Sequence, residues 1–435
     1  MMTRREALGT AAAGLIGAGV LGRLAACEHP TTSTDDAASP TRRAAGDLLF
    51  VETAHGLNLI DASTGRSALT TAAKLASPDW SRVASAATTG FGTQFELRDV
   101  ASGRLVSSGT LRDRLEPRVV SSVGWLVALA TPAGRGATPY RPAARDHTTV
   151  VVADTGGERV RIELAGNLEP EAFSTDERAL FVLEYLPPLA PDHYRVRRLD
   201  LTTRRLEPLL TRVKVPVPPG AEEEMRGEGR QAVFDRTRQL LFTLYTHQPD
   251  HLHTRDLIAG ARHGSPGVHA FVHSLHLAEQ WAYCIDLPAP FGDGPATAHA
   301  IALSADGSRL YVVDASSGSV AEIDPDSLTV LSQRRFGANA GPGGEAAAAV
   351  TSDGRYLLVG GRGIAAVPLA GTATDSGVPP WLATPFPVRG LAVAGDRAYV
   401  GQDGAVLSQD VGTGQAIGRV SVPGLVRLRH VTPAQ

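Results

Sequence analysis

Cysteine is nearly absent from this chain of 435 residues: there are two, Cys27 and Cys284, too few for a disulfide framework. Lysine is as scarce, with Lys74 and Lys214 against 42 basic residues in all, a bias of coding rather than of function. Net charge is small, because 45 acidic residues meet those 42 basic ones to leave -3. That excludes a field strong enough to hold a phosphate backbone, and with it a nucleic-acid partner. No apolar run reaches the roughly 20 residues a membrane-spanning helix needs. Nucleophile elbow, phosphate loop, dinucleotide fingerprint and haem-attachment motifs are all missing. What is plentiful is turn chemistry, with 46 Gly and 29 Pro. At 43% hydrophobic and 20% charged, the chain has the composition of a folded, turn-rich protein.

Residues 1–27 follow the order of an export signal: Arg4 and Arg5, then a weakly apolar stretch of about 15 residues, then small residues. Leu24-Ala25-Ala26-Cys27 resembles the lipobox of bacterial lipoproteins, in which the cysteine is acylated and becomes the first mature residue. The arginine pair resembles a twin-arginine signal, with Ala7 where a larger apolar residue is usual. The expectation is a lipid anchor at Cys27, on the extracytoplasmic side of the cell membrane, with no other membrane contact. Acylation of Cys27 leaves Cys284 without an intramolecular partner, and its apolar neighbours Trp281 to Leu287 predict a small buried hydrophobe. Residues 28–46 are polar, small and proline-containing, and read as a flexible tether.

Residues 47–432 read as one repeat domain. One signature is a short apolar strand, an Asp/Gly turn and a strand rich in Val, Leu and Tyr, as in AIALSADGSRLYVVD from Ala300, AAVTSDGRYLLVGG from Ala348 and AFSTDERALFVLEY from Ala172. The other is an alternating strand ending in Asp, a Ser/Thr/Gly turn and a last strand, as in LNLIDASTGRSAL from Leu57 and VAEIDPDSLTVLS from Val320. Together they make strand-turn-strand-loop-strand-turn-strand at a base period near forty residues, which predicts an all-β propeller of four-stranded blades. Third strands near Asp61, Asp99, Asp154, Asp200, His276, Asp324, Leu369 and Asp410 number eight, or seven blades if one weak copy is irregular. The first copy lacks an opening strand and Gly424 to Val431 is a lone strand, so pairing the two closes the ring and leaves no free edge.

The Ala300 to Gly361 segment resembles the YVTN-type repeats of bacterial surface proteins and of lactonase-like propellers. Its motifs mark blades rather than a chemistry, and such folds host enzymes and binding proteins alike. The same resemblance points to His299, at the start of an innermost strand, where a lactonase would carry a channel-facing base. No partners for His299 can be named from the sequence.

Loops between second and third strands and between blades emerge on one face. The long insertions, Pro132 to Thr148, Pro187 to His193, Thr211 to Arg230, His247 to Val268 and Ala289 to Thr297, belong to that face, which is where binding is expected. Gly371 to Pro380 is an exception among the otherwise short turns of the opposite face. Seven of the 13 histidines fall between His247 and His276. Imidazole suits zinc, copper and nickel, so His251, His253, His269 and His273 are candidate metal ligands. Set against this, no cysteine joins them in sequence, and His269 and His273 share a strand face at a spacing too wide to hold an ion without a third group. Hydrogen-bonded or solvated histidines are the competing expectation. The acidic run Glu222, Glu223 and Glu224 reads as solvated surface.

The sequence therefore predicts a binding or interaction module at the cell envelope, taking an envelope protein, glycan or small ligand on its long-loop face. No cofactor is required, and binding is favoured over catalysis. The alternatives are a propeller hydrolase using His299 and a metal-binding module using His247 to His276. Ligand, export route and oligomeric state are not specified.

Overall fold

A computed structural model describes residues 46–72, 75–134, 142–248, 251–264, 267–336, 344–369 and 387–434. Arg4, Arg5, Cys27 and the tether up to residue 45 lie outside the described residues, as does Gly371 to Pro380. The described chain forms eight antiparallel sheets arranged as an eight-bladed propeller. Blade 1 combines Leu48–Thr53, Gly56–Asp61 and Ser67–Thr71 with the C-terminal Leu425–Thr432, which takes the innermost position and pairs Val431 with Leu49. Blades 2 to 8 follow at 75–111, 116–165, 167–207, 228–287, 299–335, 347–368 and 391–421, with three described strands in blade 7. Every third strand expected from the repeat occupies its place.

The turn motifs have a common physical origin. Between first and second strands, a Ser or Thr hydroxyl donates to the Asp two residues on, at 2.6 to 2.7 Å, in Ser77–Asp79, Ser174–Asp176, Ser304–Asp306 and Thr351–Asp353. Between third and fourth strands, the terminal Asp accepts backbone N–H bonds from the turn, as Asp61 does from Ser63 and Thr64 and Asp410 from Thr413. Burial works against the charge of Asp61, but these bonds prevail and hold its carboxyl at about 2. The residue after the first-turn Asp is left-handed, which suits Gly307 and Gly354; Trp80 and Glu177 hold the same conformation at φ of 61° and 57°.

Between neighbouring sheets the alternate side chains of each strand interdigitate. Phe242 and Val272 of blade 5, for example, pack on Ile301 and Val312 of blade 6. Blade 4 departs from the pattern in a way that builds the site. Its fourth strand is only Leu206–Glu207, after which the chain leaves the sheet. Leu210 donates to the Gln280 carbonyl of blade 5. The chain then turns at Thr211 to Val215 and returns to exchange backbone bonds between Met225 and Tyr194 at 2.7 and 2.8 Å. Residues 208–227 thus line the outer crevice between blades 4 and 5.

Candidate metal centre

Three segments meet in that crevice: the returning strap, the loop from His247 to His269 and the outermost strand of blade 5, Trp281–Leu287. Blade 5 pairs His273 with Cys284 and Phe271 with Asp286 across its two outer strands. Phe271 and Cys284 join Tyr185, Tyr194, Met225 and Tyr245 in the apolar contact between the blades. The imidazole of His251 stacks on Phe271, with centroids 4.2 Å apart and planes 8° apart, and is fully buried. His253 precedes the short helix Thr254–Ile258, where its backbone N–H donates to Asp256 at 3.2 Å.

These contacts bring the ligand atoms of Glu223, His251, His253 and Cys284 within 4.8 Å of one another. The carboxylate oxygen Oε1 of Glu223 accepts from Sγ of Cys284 at 2.7 Å and faces Nε2 of His251 at 2.8 Å. Nε2 of His253 meets Asp286 at 2.6 Å, and the guanidinium of Arg255 lies 3.5 Å from that same carboxylate. Nδ1 of His253 is buried without a hydrogen-bond partner, so it is the ring nitrogen left for a ligand. Burial opposes the charge of Glu223, yet the imidazoles of His251 and His253 and the bond from His251 hold it ionised, at about 2. Burial first, and the Glu223 charge second, push the Cys284 thiol well above its ordinary range. Cys284 is therefore a neutral thiol, not a poised nucleophile.

The donor set is two nitrogens, one sulfur and one oxygen, all of types that bind zinc. Tetrahedral coordination at zinc bond lengths separates ligand atoms by roughly 3.3 to 3.7 Å, so seating an ion asks for shifts of about 1 Å from the present geometry. A divalent ion would balance one carboxylate and one thiolate, leaving a buried site without net charge. Asp286 on the far nitrogen of His253 has the form of a carboxylate–histidine–metal relay.

Of the four histidines expected as ligands, His251 and His253 are brought together. His273 lies beside them, lining a cavity of about 50 Å³ with Glu223 and Thr254; burial holds it neutral, lowering it to about 4 against the opposing pull of Glu223. His269 is elsewhere, with Nε2 3.9 Å from Asp293. Two expectations are corrected. Glu223 is not solvated surface, because the strap folds it inward, while Glu222 pairs with Arg195 and Arg197. A cysteine does join the histidines: Cys284 is buried as expected, but the register across blade 5 aims its thiol at Glu223. An acidic run with one inward member leaves no mark in sequence. The pairing of a histidine with a cysteine across an outer hairpin could have been read from strand lengths and the turn between them.

His299 begins an innermost strand, His299–Leu303, but its side chain is fully buried and both ring nitrogens are engaged. Nε2 accepts from the Gly292 N–H at 3.0 Å and Nδ1 donates to the Pro295 carbonyl at 3.1 Å. It pins the loop before it rather than facing a substrate. His299→Ala is expected to lower stability by about 2 kcal/mol, the cost of orphaning those buried groups; urea unfolding with no loss would remove that role. The central cavity, about 470 Å³, is lined instead by Trp80, Arg236, Glu345, Arg427, Arg429 and His430 among others. Its charges are paired, Asp79 with Arg236 at 2.6 Å, Glu52 with Arg429 at 2.7 Å and Glu345 with Arg427.

No family model matches the chain, and no curated protein matches it. Solved structures similar to it include apo AztD from Citrobacter koseri, at 12% identity over 90% of this chain and 99% of that one with a TM-score of 0.41. Another is the periplasmic gluconolactonase PpgL of Pseudomonas aeruginosa, at 18% identity over 90% and 99% with a TM-score of 0.40. A third is Kuenenia stuttgartiensis hydrazine synthase, at 13% identity over 79% and 99% with a TM-score of 0.40. Likeness at this distance carries no activity to this chain.

Proposed function

We propose that the protein is a lipid-anchored, extracytoplasmic β-propeller that binds a divalent ion of the zinc class in the crevice between blades 4 and 5. The observation that carries the ion is the convergence of Glu223, His251, His253 and Cys284 within 4.8 Å, three of them supplied by long loops of the expected binding face. Burial favours holding an ion over turning over a substrate, since the adjoining cavity of about 50 Å³ admits water rather than an organic molecule. The test is metal analysis of the purified protein after exposure to zinc and removal of excess. One equivalent per chain is expected, and protein emerging empty would sink the reading.

The anchor rests on the charged, apolar and small-residue order ending in Cys27. Cys27→Ala is expected to move the protein from the membrane fraction to the soluble one. Its retention in membranes would count against lipidation.

A further inference from the structure

Gln248 stands behind His251, and its amide can be oriented without ambiguity. Oε1 accepts from the backbone N–H groups of Arg226 and Gly227, both at 3.0 Å. Nε2 donates to the Glu224 carbonyl at 3.3 Å. Backbone N–H groups can only donate and a carbonyl can only accept, so these three contacts fix which end of the amide is which. The end that meets Nδ1 of His251 is therefore the NH2 group. Nδ1 must accept, which places the ring proton on Nε2, where it is donated to Glu223.

That is the opposite of what a metal needs. A neutral imidazole that ligates through Nε2 carries its proton on Nδ1, and histidine ligands ordinarily give that proton to a carboxylate or carbonyl. Here Nδ1–H would confront an N–H donor. An ion can take the Nε2 lone pair only if the amide of Gln248 turns over or withdraws, giving up its bonds to residues 224–227, the segment that carries Glu223 to the site.

Building on the ion-binding reading above, we propose that Gln248 is a positioning residue that sets the affinity of this centre. It holds His251 in the tautomer that must be surrendered on loading, so the site exchanges its ion rather than keeping it. His253 forms the contrast within the same site, because Asp286 already backs its ring with a carboxylate. The propeller then acts as a carrier or buffer for the ion, not as a fold stapled by it.

The test is Gln248→Glu, which keeps the side-chain length. One carboxylate oxygen can accept from Arg226 and Gly227, and the other from Nδ1–H of His251. Zinc affinity, measured by competition with a chromophoric chelator, is expected to rise roughly 10- to 100-fold, the scale of outer partners of metal ligands, with slower release to excess chelator. Equal or weaker binding by the folded variant overturns the proposal. An independent readout needs no variant: imidazole 15N spectra of the metal-free native protein are expected to show His251 protonated on Nε2 and bare on Nδ1, and the reverse pattern overturns it as well. Native protein that takes up no zinc at all would defeat the ion-binding reading instead. The spectra of the empty protein tell these two failures apart.

Discussion

His251→Ala/His253→Ala is expected to abolish stoichiometric zinc uptake, weakening binding a thousandfold or more. Four-ligand zinc sites in small folded units are worth about 10–16 kcal/mol near neutral pH, or roughly 2.5–4 kcal/mol per ligand. Losing two ligands at about 1.4 kcal/mol per factor of ten gives at least that drop. The variant also leaves Glu223 and Cys284 as two ligands where a closed zinc site takes four. A melting curve accompanies the titration: native protein in zinc at a thousandfold excess over its dissociation constant gains about 4 kcal/mol, and the variant gains none. Retention of one tight equivalent by the variant would place the ion elsewhere.

Glu169→Ala is expected to cost about 3–5 kcal/mol of stability, the largest single loss predicted for the scaffold. Glu169 lies on the innermost strand of blade 4, Asn167–Phe173, with a side chain only 7% exposed. Its two oxygens meet Arg118 of blade 3 at 2.9 Å and Arg145 at 2.8 Å, both 9% exposed. Arg145 comes from the long loop of blade 3, and it also donates to the carbonyls of Thr131 and Leu168 at 2.7 and 2.6 Å. Removing the carboxylate leaves buried Arg118 with Glu116 as its remaining anion and takes from buried Arg145 its carboxylate partner, so that the Arg145 guanidinium is held to blade 4 by its bonds to Asn167 and Leu168 alone. Urea unfolding is the measurement, and Glu169→Gln should lose less because the amide oxygen still accepts from one arginine. A loss below about 1 kcal/mol in the alanine variant would mean that water replaces the carboxylate and that the pair is not structural.

The architecture was legible because its information is local. The Asp that ends a third strand and the Ser-x-Asp of the first turn each satisfy their own backbone within three residues. They recur wherever a hairpin must close, and Asp61, Asp200, Asp324 and Asp410 mark blades by chemistry that needs no neighbour. Ring closure was legible for a related reason: an opening strand missing at one end and a spare strand at the other leave a single pairing that hides both edges.

The centre was only half legible. A dense run of histidines announced a ligand type, and His251 and His253 are two residues apart on one loop. Cys284 and Glu223 are 33 and 28 residues away from His251 along the chain, and what joins the four is the strap that leaves blade 4 after Leu206–Glu207. Sequence by itself determined the repeat, the turns and the closing strand, each written within one blade or one segment. Tertiary structure alone decided which glutamate turns inward, which cysteine faces it, that His269 stays outside, and that His299 is spent on its own loop. The first two outcomes depend on where the strap from blade 4 lies against the outer strands of blade 5, and the last two on how loops fold back beside their own strands.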